Sequence, residues 1–168
     1  MGDYTNADGL LIREAPYNVT TGLTRDYSEG IESYLVVDFE YDNLPDFDLD
    51  AGGGSTPDSF SSAVGFVPAG SYVTKATLIC GTDWATADSA DLTLGFYKKD
   101  GSAIDSDGID AAIASTALDL GDVVLCDGTL VGGTVYVGAD DAYIVGAIAT
   151  GTFTTGAARL IVQYVASA

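Results

Sequence analysis

Most of the chain after residue 33 is a series of short segments rich in Val, Ile, Leu, Thr and Tyr, separated by turns that contain Gly, Pro, Asp or Ser. In chain order the segments are YLVVDFEYD, SAVGFV, SYVTKATLIC, ADLTLGFYK, DVVLC, TVYVG, AYIVGAIA and ARLIVQYV. Aliphatic, β-branched and aromatic residues bounded by turn residues are typical of strands. A parallel α/β fold would need repeated long helical segments, and the sequence has one candidate helix. We therefore predict an all-β protein of about eight antiparallel strands, closed as a barrel or packed as a two-sheet sandwich.

The segment ADLTLGFYK gives the clearest evidence for a strand with one buried face. Its large apolar residues Leu92, Leu94 and Phe96 alternate with Thr93 and Gly95. Because successive side chains of a strand point to opposite faces, we expect the three large side chains in the core. The residues that follow, KKDGS, contain the Asp-Gly pair of a chain reversal, so we predict a turn there.

Residues 100–114, DGSAIDSDGIDAAIA, hold four aspartates in fifteen residues. A calcium loop of the EF-hand type that began at Asp105 would need Gly at position 110 and Glu at position 116, where the sequence has Asp and Thr. The segment 108–118 instead has the spacing of a short helix with Asp107 as N-cap, and its apolar face would contain Ile109, Ala112, Ile113 and Ala117. We predict a turn followed by one short helix near residues 108–118. Asp105, Asp107 and Asp110 remain the candidates for an incidental metal ion.

Acidic residues at every second position mark two other segments. They are Asp38, Glu40 and Asp42 in the first, and Asp46, Asp48 and Asp50 in the second. Side chains at period two share one face of a strand, so each set is either a cation-binding row or a solvated sheet face.

The charge balance excludes several classes of partner. Six Lys and Arg residues stand against 25 Asp and Glu, a formal net charge of −19 at pH 7. Nucleic acid phosphates and anionic lipid surfaces repel such a chain, so we expect no nucleic-acid and no membrane partner. The N-terminus MGDYTNADGL lacks the basic region and following apolar region of a secretory signal. No run of about twenty apolar residues, the length of a transmembrane helix, occurs in the sequence. We also expect copies to repel one another at low salt, so that any assembly gains its affinity from apolar or backbone contacts.

The residues needed for most catalysis are missing. The chain has no histidine, which removes the usual general base and most zinc sites. Cys80 and Cys126 each lie in an apolar run, and we expect two separate buried thiols. No pair of acids lies in an apolar context that would raise a pKa for glycoside hydrolysis. We therefore expect no catalytic residues, no cofactor and no enzyme activity.

Three stretches give the sequence a family resemblance. They are FVPAGSYVTKATLICGTDW, DLTLGFYKKDGSAIDSDGIDAAIASTALD and the closing ARLIVQYVAS. In this order they resemble small virion structural proteins of tailed bacteriophages, of the capsid decoration or cement type. The resemblance extends from residue 66 to the end and implies a β-sandwich, jelly-roll-like, that coats the outer surface of the capsid. It also implies a non-enzymatic protein, assembled in the host cytoplasm, that bridges subunits of the major capsid protein. A homo-oligomer, with a trimer favoured, follows by analogy.

The N-terminal third is not covered by the resemblance. At 168 residues the chain has the size of one domain, and we divide it into an N-terminal arm or peripheral strand, residues 1–32, and a β-sandwich domain, residues 33–168. The arm is the candidate for capsid docking, by adding an edge strand or filling a groove. Its candidate residues are Leu10, Leu11, Ile12, Tyr17, Val19 and Leu23. The alternative is an ordinary edge strand of the same domain.

Two other functions fit the sequence. A receptor-binding module could stack a sugar on Tyr72, Trp84 or Tyr136 beside acceptor carboxylates, although aromatic residues on strands more often pack in a core or an interface. A tail or neck component of the virion would share the same composition.

Overall fold

The computed structural model describes three short N-terminal strands by their backbone, and residues 32–45, 65–87 and 89–166 in full. Its strands form one seven-stranded and one four-stranded sheet, and neighbouring strands are antiparallel. The prediction of an all-β sandwich is confirmed. Over these residues the helical content is one 3-10 turn, Ser115–Ala117, and no helix is long and apolar enough to cross a membrane.

In chain order the strands are β1 (Tyr4–Thr5), β2 (Leu11–Glu14), β3 (Arg25–Glu29), β4 (Glu32–Glu40), β5 (Phe66–Val67), β6 (Tyr72–Thr82), β7 (Asp91–Tyr97), β8 (Ala103–Ala114), β9 (Val123–Cys126), β10 (Ala142–Thr150) and β11 (Ala157–Val165). The larger sheet, sheet A, has the order β1-β2-β3-β4-β11-β6-β9. The smaller sheet, sheet B, has the order β5-β10-β7-β8.

The strands from β4 to β11 follow the winding of a jelly roll. Numbered one to eight in chain order, they give the order 1-8-3-6 in sheet A and 2-7-4-5 in sheet B. The first strand therefore pairs with the eighth, the second with the seventh, the third with the sixth and the fourth with the fifth. These pairs fall alternately in the two sheets, as in one long hairpin that has been rolled up. This is the jelly-roll arrangement, as the resemblance implied.

The core lies between the two sheets and is built by side-chain alternation. On β7, Leu92, Leu94 and Phe96 are fully buried, as the period-two pattern predicted. On β4, Leu35 and Phe39 point to the same core from the opposite sheet. Each such side chain stabilises the fold by about 1.5–3 kcal/mol relative to an exposed position.

The helix predicted at residues 108–118 is wrong. Residues 103–114 form β8, and the chain makes a single 3-10 turn after it. Ile109 and Ile113 are four residues apart, a spacing that fits one face of a helix and also one face of a strand. The strand forms because Ile113 pairs opposite Leu92 and both become buried in the core. Glycine and aspartate in the same segment are also poor helix formers.

The acidic part of β8 is a bulge. Between Asp110 and Asp105 the strand advances five residues while its partner β7 advances two. Residues 106–109, four residues opposite the single Gly95, are held from the other side by the N–H groups of Gly128 and Leu130, which donate to carbonyl groups of the bulge. Residues 100–114 are therefore a turn and a bulged strand.

The turn predicted in KKDGS is confirmed. The N–H of Lys98 donates to the carbonyl of Ser102, and the N–H of Gly101 donates back to the carbonyl of Lys98. Gly101 has a φ of 83°, which other residues adopt rarely. Asp100 accepts hydrogen bonds from both the N–H and the hydroxyl of Ser102, which fixes the turn that joins β7 to β8.

The strand predicted in TVYVG, residues 134–138, is wrong. This segment is irregular and forms one isolated bridge with sheet A, between Tyr136 and Tyr72, next to a hydrogen bond from the N–H of Val137 to the carbonyl of Ser71. Gly132, Gly133 and Gly138 have positive φ angles and break the extended path on both sides.

Candidate functional site

Sheet A extends beyond the sandwich on one side. Its strands β4, β11, β6 and β9 face the four strands of sheet B, and β1, β2 and β3 continue the sheet past β4. Of the arm residues predicted to dock, Leu11 and Ile12 lie in β2, where the pairing with β3 sets Ile12 opposite Tyr27. The other four, Leu10, Tyr17, Val19 and Leu23, lie outside the described residues. The arm thus contributes three antiparallel strands to the sheet.

The opposite edge of sheet A is β9. Its side chains alternate, so that Val124 and Cys126 point into the core while Val123 and Leu125 point to the outer face and are 57% and 62% exposed. Within the described residues β9 pairs with β6 and with no second strand. It is therefore an open edge without a charged residue of its own.

Exposed apolar side chains gather along this edge. Leu120 precedes β9, and Val135 and Tyr136 lie in the segment that continues along β6 beyond it. We call Leu120, Val123, Leu125, Val135 and Tyr136, with the neighbouring Tyr72, the β9 edge. Among the large apolar side chains of the described ranges that are exposed, only Phe66 lies elsewhere. Soluble proteins usually scatter such residues singly, so their concentration on one edge marks a contact surface.

An open cavity of about 540 Å³ lies on the outer face of sheet A, next to the β9 edge. The cross-strand register runs from Val123 to Ile79, then to Arg159 and Asp38. Arg159 binds Asp38 through two contacts, Nε to Oδ1 at 2.6 Å and Nη2 to Oδ2 at 2.9 Å. Ile79 lines the cavity together with Asp38, Glu40 and Arg159. Because Asp38 is held in this ion pair, Glu40 is the carboxylate beside the apolar floor that suits the cationic head of a Lys or Arg side chain.

The acids of the β8 bulge divide into two neighbourhoods. Asp105 accepts a hydrogen bond from the Thr129 hydroxyl, which lowers its pKa, and the nearby Asp105 raises the pKa of Asp107. Asp110 is only 7% exposed; burial raises its pKa first, and the charge of Asp127 adds to this. Among the residues described in full, no three His, Cys, Asp or Glu side chains form a group that could hold a metal ion.

Of the other acids predicted to share strand faces, Asp38 lies on the outer face of sheet A in its ion pair with Arg159, and Glu40 ends β4 beside the cavity. Asp42 lies in the turn after β4. Asp46, Asp48 and Asp50 lie outside the described residues.

Of the three alternative aromatic residues for a sugar platform, two are exposed and one is buried. Tyr72 and Tyr136 are exposed, and their ring centroids are 6.4 Å apart at an angle of 57°. Trp84 is only 3% exposed and packs edge-on against Phe39 and Phe153 in the core. Trp84 is excluded from a sugar platform because its side chain is buried, and the two tyrosines remain.

The two cysteines are separate buried thiols, as predicted. Burial is the main cause that raises the pKa of Cys80 to about 11 and that of Cys126 to about 12. Further contributions come from Asp119 and Asp122 at Cys80 and from Asp110 and Asp127 at Cys126. Both thiols are therefore protonated at neutral pH and unsuited to nucleophilic chemistry.

No protein-family model matches the sequence, and no curated protein matches it. Two solved structures are similar to this chain. One is a chain in the capsid of Ralstonia phage GP4, with 16% identity and a TM-score of 0.46 over 93% of this chain and 92% of that one. The other is in the capsid asymmetric unit of cyanophage Pam1, with 20% identity and a TM-score of 0.48 over 92% of this chain and 93% of that one. In both cases the similarity is one of backbone structure, and the sequence identity is low.

The residue pattern of DVVLC predicts a strand but does not identify the β9 edge. Whether a strand is central or at an edge depends on pairings between residues far apart in the chain. The four apolar residues of VVLC lie between Asp122 and Asp127, but acids and turn formers bound strands in general, so they do not distinguish an edge strand from a central one.

Proposed function

We propose that the chain is a non-enzymatic structural protein of a phage virion, which decorates the outer surface of the capsid and bridges neighbouring subunits of the major capsid protein. The sequence resemblance over residues 66–168 points to this class of protein. The jelly-roll sandwich agrees with it, and the binding surfaces described above suit a protein that acts by contact.

The observation that carries the proposal is the extension of sheet A at one edge and the apolar surface at the other. From a spacing of about 4.8 Å between neighbouring strands, the β1 and β9 edges of the seven-stranded sheet lie roughly 29 Å apart. Two contact surfaces on one continuous sheet would allow a single copy to hold two neighbouring subunits. The second contact then forms at the high effective concentration that the first creates, and separating the subunits must break both.

The charge is consistent with binding at separated positions on a shell. A net charge of −19 opposes close approach of two copies, most strongly at low salt. If the protein acts as a homo-oligomer, such as the trimer that the analogy favours, its interface must therefore exclude most of the 25 acids.

Deletion of the arm tests the proposal. We expect the chain without residues 1–30 to lose binding to purified shells of the major capsid protein, because β1 to β3 are removed. It should keep a cooperative melt, because the eight strands of the jelly roll remain. The measurement is co-sedimentation with the shells, next to a thermal melt of the free protein.

A full-length variant with Leu11 and Ile12 changed to Ser serves as a control for chain length. Undiminished binding by both the truncated and the substituted protein would remove the arm from the mechanism. Failure of the intact protein to bind shells or assembled virions at any salt concentration would refute the proposal as a whole.

Sugar binding is the second candidate function, and the pairing of Tyr72 with Tyr136 favours it. Two exposed aromatic rings 6.4 Å apart can stack against a sugar ring. A glycan array separates the candidates, because a decoration protein should bind shells and ignore sugars. Specific glycan binding that is lost in Tyr136→Ala, with shell binding unchanged, would favour the receptor-binding function.

A further inference from the structure

The main chain of β9 has hydrogen-bonding groups available on its outer side. The N–H of Cys80 donates to the carbonyl of Asp122, and the N–H of Gly121 donates to the carbonyl of Cys80. Antiparallel pairing alternates, so the next residues of β9 bonded to β6 are Val124 and Cys126. The N–H and C=O groups of the intervening residues therefore point away from sheet A, in the direction from which another strand could pair.

The side chains of β9 give an added strand apolar contacts. Val123 and Leu125 flank the open side on the outer face of the sheet. Edge strands of soluble proteins are commonly protected by lysine, proline, a bulge or a covering loop. The sequence of β9, VVLC, has neither lysine nor proline, and its pairing with β6 is regular.

Both ends of β9 are acidic. Asp119 and Asp122 lie just before its start, close enough to Cys80 to raise the pKa of that thiol. Asp127 lies directly after its end. A strand that carries carboxylates at its ends would be repelled here, and one that carries Lys or Arg would be attracted.

We propose that β9 binds, as an added strand, an extended segment of a capsid shell subunit that has an apolar centre and a Lys or Arg near each end. Backbone hydrogen bonds fix its register, Val123 and Leu125 contact its apolar side chains, and the acids select its ends. This inference rests on the proposed function, because it names the chemistry of the partner at the second of the two contact surfaces.

Charge argues against a second copy as the occupant. An approaching copy brings a net charge of −19 toward an edge whose neighbouring residues are already acidic. The chain has only six basic residues with which to offset that repulsion. A shell segment with basic ends meets no such barrier.

The test compares substitutions on the two sheets. Leu125→Lys places a cation in the apolar contact and close to the basic ends of the proposed partner, and Leu125→Pro removes an N–H that points outward while sparing the bonds to β6. Ala112→Lys, an exposed position on the edge strand of sheet B, is the matched control for charge. Each protein is melted to confirm folding and then titrated onto shells of the major capsid protein. A second assay measures binding to overlapping synthetic peptides of that protein.

We expect Leu125→Lys and Leu125→Pro to weaken shell binding at least about tenfold, the effect of losing one central contact of an interface, and Ala112→Lys to bind as the unchanged protein does. We expect the binding peptides to have basic residues at both ends of an apolar centre, and Asp122→Lys to reduce their affinity. If the unchanged protein binds shells and both Leu125 variants bind equally well, this inference is wrong while the proposed function stands. If sedimentation shows an oligomer that Leu125→Lys dissociates, with shell binding unaltered, the occupant is a second copy and the inference is also wrong.

Discussion

Gly95→Ala tests the local structure that replaces the predicted helix. A Cβ at this position on β7 would lie 2.2 Å from the carbonyl oxygen of Ser106 and 2.6 Å from that of Asp105, whereas real Cβ atoms essentially never approach closer than 3.0 Å. Both obstacles are backbone atoms of the β8 bulge, so no side-chain rotation relieves the contact. The substitution must push the bulge away from the sheet.

The expected cost follows from the packing. Inserting a carbon into a filled site costs about 1–3 kcal/mol, and a backbone obstacle favours the upper end of that range. Reduced freedom of the unfolded chain offsets about 0.4–1 kcal/mol of this. We therefore expect the free energy of unfolding to decrease by roughly 2 kcal/mol. For a chain of this size, that loss lowers the melting temperature by about 4–8 °C.

Gly81→Ala is the matched control for this experiment. Gly81 also lies in a strand and has no positive φ, but its nearest neighbour, the carbonyl oxygen of Ala157, would be an ordinary 3.5 Å from the new Cβ. The two variants are compared by calorimetry and by circular dichroism. The control should melt within about 2 °C of the unchanged protein. If Gly95→Ala melts together with the control, the bulge does not pack against β7 and the strand assignment of residues 106–109 is wrong.

Two further predictions concern titratable groups. Burial, and to a smaller extent the charge of Asp127, raises the pKa of Asp110 in the folded protein above its value in the unfolded chain. Deprotonation of Asp110 is therefore more costly in the folded state, and the free energy of unfolding decreases as the pH rises through the folded pKa. Asp110→Asn should raise the melting temperature at pH 7 by a gain that shrinks as the pH is lowered, and a gain independent of pH would contradict this assignment. Cys80 and Cys126 should resist a thiol reagent at pH 8 until denaturant is added, and a reductant should leave the melting temperature unchanged. Rapid labelling of the folded protein, or a disulfide detected by mass, would show that the thiols are accessible or paired.

The sequence predicted those parts of the fold that local patterns determine. Alternation identified the buried face of β7, and the Asp-Gly pair identified the turn after it. The spacing of Ile109 and Ile113 fits two periods at once, so the choice between helix and strand depended on Leu92, which is distant in sequence. A pattern that satisfies both periods can be resolved only by its partners across the sheet.

The candidate site depended even more on distant residues. The arm could be singled out by its composition, but nothing near Val123 and Leu125 in sequence shows that no strand follows them in the sheet. The burial of Trp84 could not be predicted for a related reason, since its ring packs in the core against Phe39 and Phe153, which are distant in sequence. The buried state of an aromatic residue in a connecting segment is a property of tertiary packing, and composition does not report it.

The large negative net charge offers a reason why β9 can remain an apolar edge strand without charged residues of its own. An exposed apolar edge strand tends to pair with the edge strand of another copy, and β9 has no lysine or proline that would prevent such pairing. Repulsion between molecules with a charge of −19 supplies a protection that acts before the edges touch. A partner with basic residues is attracted by the same field, so the acids that separate copies also favour the proposed segment. Since the Debye length is about 10 Å at 0.1 M salt, this selectivity acts over roughly the last 10 Å of approach, and backbone pairing and apolar contacts supply the affinity once the strands meet.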